Sequence, residues 1–153
     1  MTSIAWRWAA LDELTAPEWH DVGVLRQSVF IVEQTCPYPD LDEHDPHSAH
    51  LLGRNEMGEL VAYLRLVPPG RKYAEPSLGR IVTRSSARGM GLGRPLVSEG
   101  LAEHCRRYPG IANTIGAQAR LTEFYRSLGF EPFGDTYLED DIVHIDMRYY
   151  PPR

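Results

Sequence analysis

The stretch Leu78–Leu96, LGRIVTRSSARGMGLGRPL, constrains this chain more than any other. It opens as a strand, because Leu78, Ile81 and Val82 make a short apolar run with β-branched members. A polar turn, Arg84-Ser85-Ser86, leads to Arg88-Gly89-Met90-Gly91-Leu92-Gly93. A helical pattern follows, with Pro95 in its first turn, where a missing N–H costs nothing. Strand, glycine loop and helix in that order let backbone N–H groups converge on an anion at the positive end of a helix. A plain strand-to-helix turn with no ligand is the rival reading. A Walker loop is excluded, since no Gly-Lys-Ser/Thr follows. The even spacing of Gly89, Gly91 and Gly93 also differs from a dinucleotide fingerprint, so the pattern that remains is Arg88-x-x-Gly91-x-Gly93.

The rest of the chain sets the frame. Its 153 residues predict a single domain, 1–153, with enough apolar content for a core. A net charge of −5 argues against a nucleic-acid surface. No apolar run reaches membrane-spanning length, and the N-terminal MTSIAWRWAALDE lacks the apolar centre of a signal peptide. A cytoplasmic location with no membrane partner is therefore expected. Cys36 and Cys105 form no disulfide or metal framework. The basic residues are arginines except for Lys72.

Ile4–Ala9 alternates as a first strand, with Trp6 and Trp8 on one face. Thr15-Ala16-Pro17-Glu18 has the form of a capping box and predicts a helix to about Val32. Glu33–Ala49 (EQTCPYPDLDEHDPHSA) breaks the pattern with three prolines and many acids, so it reads as a functional loop. His50–Arg54 and Leu60–Val67 form a hairpin around Asn55-Glu56-Met57-Gly58. After the organising strand, a helix runs from Arg94 to about Arg107 and stops at Pro109-Gly110. Ile111–Ala117 is a strand, and Leu121–Leu128 is a short helix capped by Gly129. Phe130–Tyr137 and Ile142–Tyr150 are the last strands, joined by the acidic turn Leu138–Asp141. This order predicts an α/β (α+β) fold: a central mixed, mostly antiparallel sheet of about seven strands with helices on both faces. One parallel pair is expected, Leu78–Thr83 with Ile111–Ala117, across the intervening helix.

Five stretches carry a resemblance. Arg88-x-x-Gly91-x-Gly93 resembles the acyl-CoA pyrophosphate loop of the GNAT N-acetyltransferases. Phe124-Tyr125-x-x-x-Gly129-Phe130 resembles the end of that fold. Val29–Tyr38 (VFIVEQTCPY), Gly79–Val82 (GRIV) and Tyr137–Met147 (YLEDDIVHIDM) resemble signatures of its ElaA-like branch. Here Asp141 stands where that branch often has glycine, Val143 where it often has proline, and Gln118 where GNAT proteins often have asparagine. The resemblance spans about Phe30 to Met147. It implies a GNAT fold splayed at the acetyl-CoA-binding strands, and direct acetyl transfer from acetyl-CoA to a primary amine with no covalent enzyme intermediate. It also implies cosubstrate contacts from Ile81, Val82, Thr83, Arg88, Gly89, Met90, Gly91, Leu92, Gly93, Arg94, Gln118 and Tyr125.

The chemistry then asks for specific groups. Developing charge on the carbonyl oxygen needs a backbone N–H of the Leu78–Thr83 strand, assigned to Val82. The departing thiolate needs an acid, Tyr125. The amine needs a base, for which Glu33, Glu139, Asp140, His50 and His144 are candidates, Glu33 being the first choice. Phe30, Glu33, Arg65, Arg80, Glu139 and His144 are the candidate acceptor-binding residues. Arg65 and Arg80 lie in apolar strand runs, so each requires a carboxylate from the Glu33 loop or the Glu139–Asp140 turn, unless it binds a substrate carboxylate. Glu33, Glu139 and Asp140 are the expected suppliers. The cluster Asp40, Asp42, His44, Asp45, His47, His50 has neither EF-hand nor HExxH spacing, so no metal is expected. An acyl-CoA-sensing module and a metal-dependent hydrolase are the rival functions. The acceptor would be a small-molecule or peptide amine, and a homodimer is the assembly expected by prior.

Overall fold

The computed structural model describes residues 3–152. The elements in order are β1 (Ala5–Ala10), α1 (Ala16–Arg26), β2 (Ala49–Arg54), β3 (Leu60–Val67), β4 (Ser77–Thr83), α2 (Gly93–Arg107), β5 (Asn113–Gln118), α3 (Thr122–Arg126), β6 (Phe130–Glu139) and β7 (Ile142–Tyr149). The capping box forms as its spacing requires: Thr15 Oγ1 accepts from Glu18 N–H at 3.2 Å, and Glu18 Oε1 accepts from Thr15 N–H at 2.9 Å. Beyond Arg26 the helix widens into π-type turns over Gln27–Glu33, with Gln34 N–H donating to Val29 O at 3.1 Å. The predicted Leu121–Leu128 helix is shorter, a 3₁₀ turn at Ala119–Leu121 followed by α3.

The described strands form two sheets, ordered β1-β2-β3-β4 and β5-β7-β6, with every pair antiparallel. The expected parallel pair between β4 and β5 is therefore not a ladder. The two strands meet at one end, where Thr114 N–H donates to Pro76 O at 3.1 Å. Beside that bond, Asn113 Oδ1 accepts from Leu78 N–H at 3.1 Å, so a side chain stands in for the missing backbone partner. His104 of α2 donates through Nε2 to Ile111 O at 2.7 Å, and its Nδ1 accepts from Asn113 Nδ2 at 3.3 Å. This chain from α2 to the β4–β5 junction fixes the point from which the strands part.

β3 is buried along its whole length, with a helix over each face. The two-residue period sends Ala62, Leu64 and Leu66 towards α2, where Leu96, Val97 and Leu101 cover them. Tyr63 turns the other way and packs with Val22, Leu25 and Val29 of α1 and its extension. Gly100 lets α2 lie close on the sheet, since a Cβ there would sit 2.9 Å from Leu64 Cδ2. None of the described helices is long and apolar enough to cross a membrane.

Candidate active site

Where β4 and β5 diverge, a cleft of about 520 Å³ opens. One wall is Leu78–Thr83 and the other is Ile115–Gln118. Strand edges that part in this way leave backbone N–H and C=O groups for a ligand to use. The phase of the β4 edge follows from two hydrogen bonds. Arg84 N–H donates to Val61 O at 2.8 Å, so alternation by two residues turns the Val82 N–H towards β3. Thr83 O accepts from Arg88 Nη2 at 3.5 Å, on the opposite side, towards the cleft. The N–H groups of Ile81 and Thr83 thus belong to the open edge. The Val82 N–H, expected to bind the carbonyl oxygen, thus faces β3 and not the cleft.

β4 also carries a bulge. Its register against β3 slips between the pairs Tyr63–Val82 and Arg65–Gly79, and Arg80 takes φ 49°. A left-handed arginine is strained, and it persists because its surroundings hold it. Arg80 Nε lies 2.9 Å from Asp40 Oδ1 and Nη2 lies 3.1 Å from Asp42 Oδ2.

Those aspartates belong to a larger network behind the cleft. Arg26, buried completely, donates to Asp40 at 2.9 Å and to Asp45 at 2.7 Å. Arg65, 1% exposed, donates to both oxygens of Asp42 at 2.6 and 2.8 Å and to Asp45 at 2.9 Å. Burial alone would raise the Asp42 and Asp45 carboxyls, but hydrogen bonds and charge from Arg65 and Arg26 outweigh it and hold both low. The predicted burial and pairing of Arg65 and Arg80 are thus seen, with carboxylates from the loop after Glu33. Glu33, Glu139 and Asp140 do not supply them, because the loop folds its own aspartates inward. The same guanidinium groups occupy the acids of the Asp40–His50 cluster. Arg65 lies in this network and does not line the cleft.

Glu33 is spoken for elsewhere. It forms a two-pronged ion pair with Arg88 at the cleft rim, one contact being Nη2 to Oε2 at 2.7 Å. The Arg88 hydrogen bond holds its carboxyl below the ordinary value, which makes it a poor base in this arrangement. His50 is buried behind the cleft, where Nε2 donates to Asp45 O at 3.0 Å and Nδ1 accepts from Tyr63 Oη at 2.7 Å. His144 is better placed, because it lines the cleft and is 8% exposed. Its Nδ1 donates to Ile142 O at 2.7 Å, which leaves Nε2 as the lone-pair nitrogen, 3.7 Å from Glu139 Oε2. The ring stacks on Tyr137 at 5.9 Å.

Tyr125 on α3 lines the same cleft and is 6% exposed. Burial pushes its phenol up to about 12, so it stays protonated at neutral pH. Phe30, Glu33, Arg80, Ile81, Val82, Thr83, Arg88, Gln118 and Glu139 also line the cleft. Gly89, Met90, Gly91, Leu92, Gly93 and Arg94 continue from its Arg88 end and do not line it. Gly89 and Gly91 take φ 86° and 72°, with open space around each Cα, and Gly93 begins α2. Arg94 Nη2 donates to Ser127 Oγ at 2.8 Å, tying the loop to α3. Segment 33–36 straps the cleft: Gln118 Nε2 donates to Gln34 Oε1 at 3.3 Å, and Cys36 Sγ to Asp140 O at 3.1 Å. Burial, then Asp140 and Asp141, push the Cys36 thiol up, which suits packing and not nucleophilic attack. Sequence reasoning missed Lys72, Tyr38 and Gln34 as cleft residues. Gln34 and Tyr38 lay within the Val29–Tyr38 signature, and the signal for Lys72 was that it is the one lysine in the chain.

This architecture matches known proteins over nearly its full length. The acetyltransferase (GNAT) domain family matches residues 20–151. A UPF0039 protein of Synechocystis is 44% identical over 97% of each chain. The crystal structure of an acyl-CoA N-acyltransferase from Pseudomonas aeruginosa superposes with a TM-score of 0.90 at 39% identity, covering 96% of this chain and 99% of that one. Escherichia coli ElaA superposes with a TM-score of 0.89 at 35% identity, over 96% and 99%. The fold and cleft are those of an acyltransferase. The chain belongs to the GNAT acetyltransferase family, in its ElaA-like branch.

Proposed function

We propose that the cleft takes acetyl-CoA and passes its acetyl group directly to a primary amine. The observation that carries this reading is the opening between β4 and β5, which has Tyr125 on one side, His144 on another and the glycine loop beyond its Arg88 end. The diphosphate would sit on the N–H groups of 89–94 at the start of α2, with Arg88 and Arg94 adding charge. That placement requires the Glu33–Arg88 pair to share or release its guanidinium. The pantetheine arm would use the open edges of β4 and β5, with Thr83 and Gln118 as partners. The Ile81 N–H would receive the carbonyl oxygen as charge develops on it.

The amine nitrogen attacks the acetyl carbon and gives its proton to His144 Nε2. The C–S bond breaks, and the departing sulfur takes a proton from Tyr125 Oη. Glu139, close to His144 Nε2, steadies the imidazolium that forms. The Pseudomonas relative's name, an acyl-CoA N-acyltransferase, supports this donor and acceptor class. The test is incubation of the protein with acetyl-CoA and a panel of primary amines, reading CoA thiol release together with the mass of the amine product. One acetyl group gained per thiol released is the expected result. Binding of acetyl-CoA without product from any amine would contradict it and favour an acyl-CoA-sensing module.

A further inference from the structure

The acceptor end of the cleft carries charges of both signs. Glu139 and Asp140 line it, and so do Arg80 and Lys72. The three arginines and three aspartates of the network beside it, Arg26, Arg65 and Arg80 with Asp40, Asp42 and Asp45, balance one another. Lys72 stands outside that balance and makes no ion pair or hydrogen bond among the described residues. Among the described residues Arg80 is anchored through Nε and Nη2, and its Nη1 has no hydrogen-bond partner. The arginine is held in a strained left-handed conformation, φ 49°, at a position where glycine would cost less. Tyr38 covers the guanidinium at 5.3 Å and fixes its plane. The arrangement leaves a fixed N–H donor and the exposed Lys72 ammonium, which lies 5.9 Å from the Tyr73 ring, in one cleft with two carboxylates.

We infer that the acceptor is an amino acid or peptide whose own carboxylate is held by Lys72 and Arg80 Nη1 while its amine faces Glu139 and His144. This rests on the acetyl-transfer reading and narrows its acceptor to a zwitterion. A plain amine would leave the exposed Lys72 ammonium and the Arg80 Nη1 donor without a substrate partner.

The experiment compares each of the twenty amino acids with its carboxamide, using acetyl-CoA as donor. At least one amino acid is expected to exceed its carboxamide by about tenfold or more in kcat/KM, mainly through KM. Lys72→Met should bring that amino acid down to the level of its carboxamide, and Lys72→Arg should restore most of the difference. The CoA dissociation constant serves as the folding control. Equal or faster acetylation of the carboxamides would overturn the inference and leave acetyl transfer standing. A preference that survives Lys72→Met would also overturn it. Acetylation of neither set, with product still formed from another amine in the panel, would overturn the inference alone.

Discussion

Tyr125 is the residue on which the proposed chemistry depends most sharply. It is nearly buried, protonated throughout the physiological range, and packed edge-on between Phe124 and Phe130 at 5.1 and 5.7 Å. Those rings fix its position, so deleting the hydroxyl leaves the shape of the cleft intact. Tyr125→Phe should lower kcat by about 10²- to 10⁴-fold with KM for acetyl-CoA little changed. Steady-state kinetics on a productive amine checks this, and full turnover in the variant would remove Tyr125 from proton transfer. Glu33 shows why a side chain's role cannot be taken from its place in a motif. It was the first choice of base, yet Arg88, distant in sequence, claims both of its oxygens.

At the scale of elements, the β6–β7 turn is the clearest case of local cost. Asp140 and Asp141 take φ 50° and 62°, the two left-handed positions of a tight hairpin turn. Aspartate tolerates that region better than most residues, and glycine better still. Asp141→Gly should therefore stabilise the protein by about 1 kcal/mol. Thermal unfolding should show it as a rise in Tm of about 2–4 °C for a chain of this size. A fall in Tm would mean that the Asp141 side chain has a role beyond the turn. The elements whose signals are local were legible in the sequence. The Thr15–Glu18 capping box, the Asn55–Gly58 hairpin and the glycine loop into α2 all lie within a few residues of their own cause. The parting of β4 from β5 was legible only through the family resemblance, because no local signal carries it: it depends on Asn113 and His104 meeting Leu78 across the fold. The inward turn of Asp40, Asp42 and Asp45 was not legible, since their partners Arg26, Arg65 and Arg80 come from three separate elements. The bulge at Arg80 was hidden for a similar reason: its register is set by β3, and its sequence, Gly79-Arg80-Ile81, reads as ordinary strand.

For the whole molecule, buried titrating groups make stability depend on acidity in two stages. Burial depresses His50 and His104, whose ring nitrogens accept hydrogen bonds from Tyr63 and Asn113. The folded state keeps them neutral while the unfolded state takes up protons below about pH 6.5, so stability falls as pH drops through that value. Asp42 and Asp45 are depressed by their guanidinium partners, and their contribution is lost at lower pH, below about 4 and downward. Urea unfolding at pH 7.5, 5.5 and 3.5 should give successively smaller free energies, and a flat response between 7.5 and 5.5 would count against neutral His50 and His104. Acetyl transfer in this cleft depends on one placement, that of acetyl-CoA between β4 and β5. A crystal structure of the complex with CoA measures it directly. The expected result is the diphosphate on the N–H groups of 89–94, the pantetheine arm along the open edge of β4, and the sulfur within hydrogen-bonding distance of Tyr125 Oη. CoA bound anywhere else, such as the groove beside Cys105 and Tyr149, would contradict it.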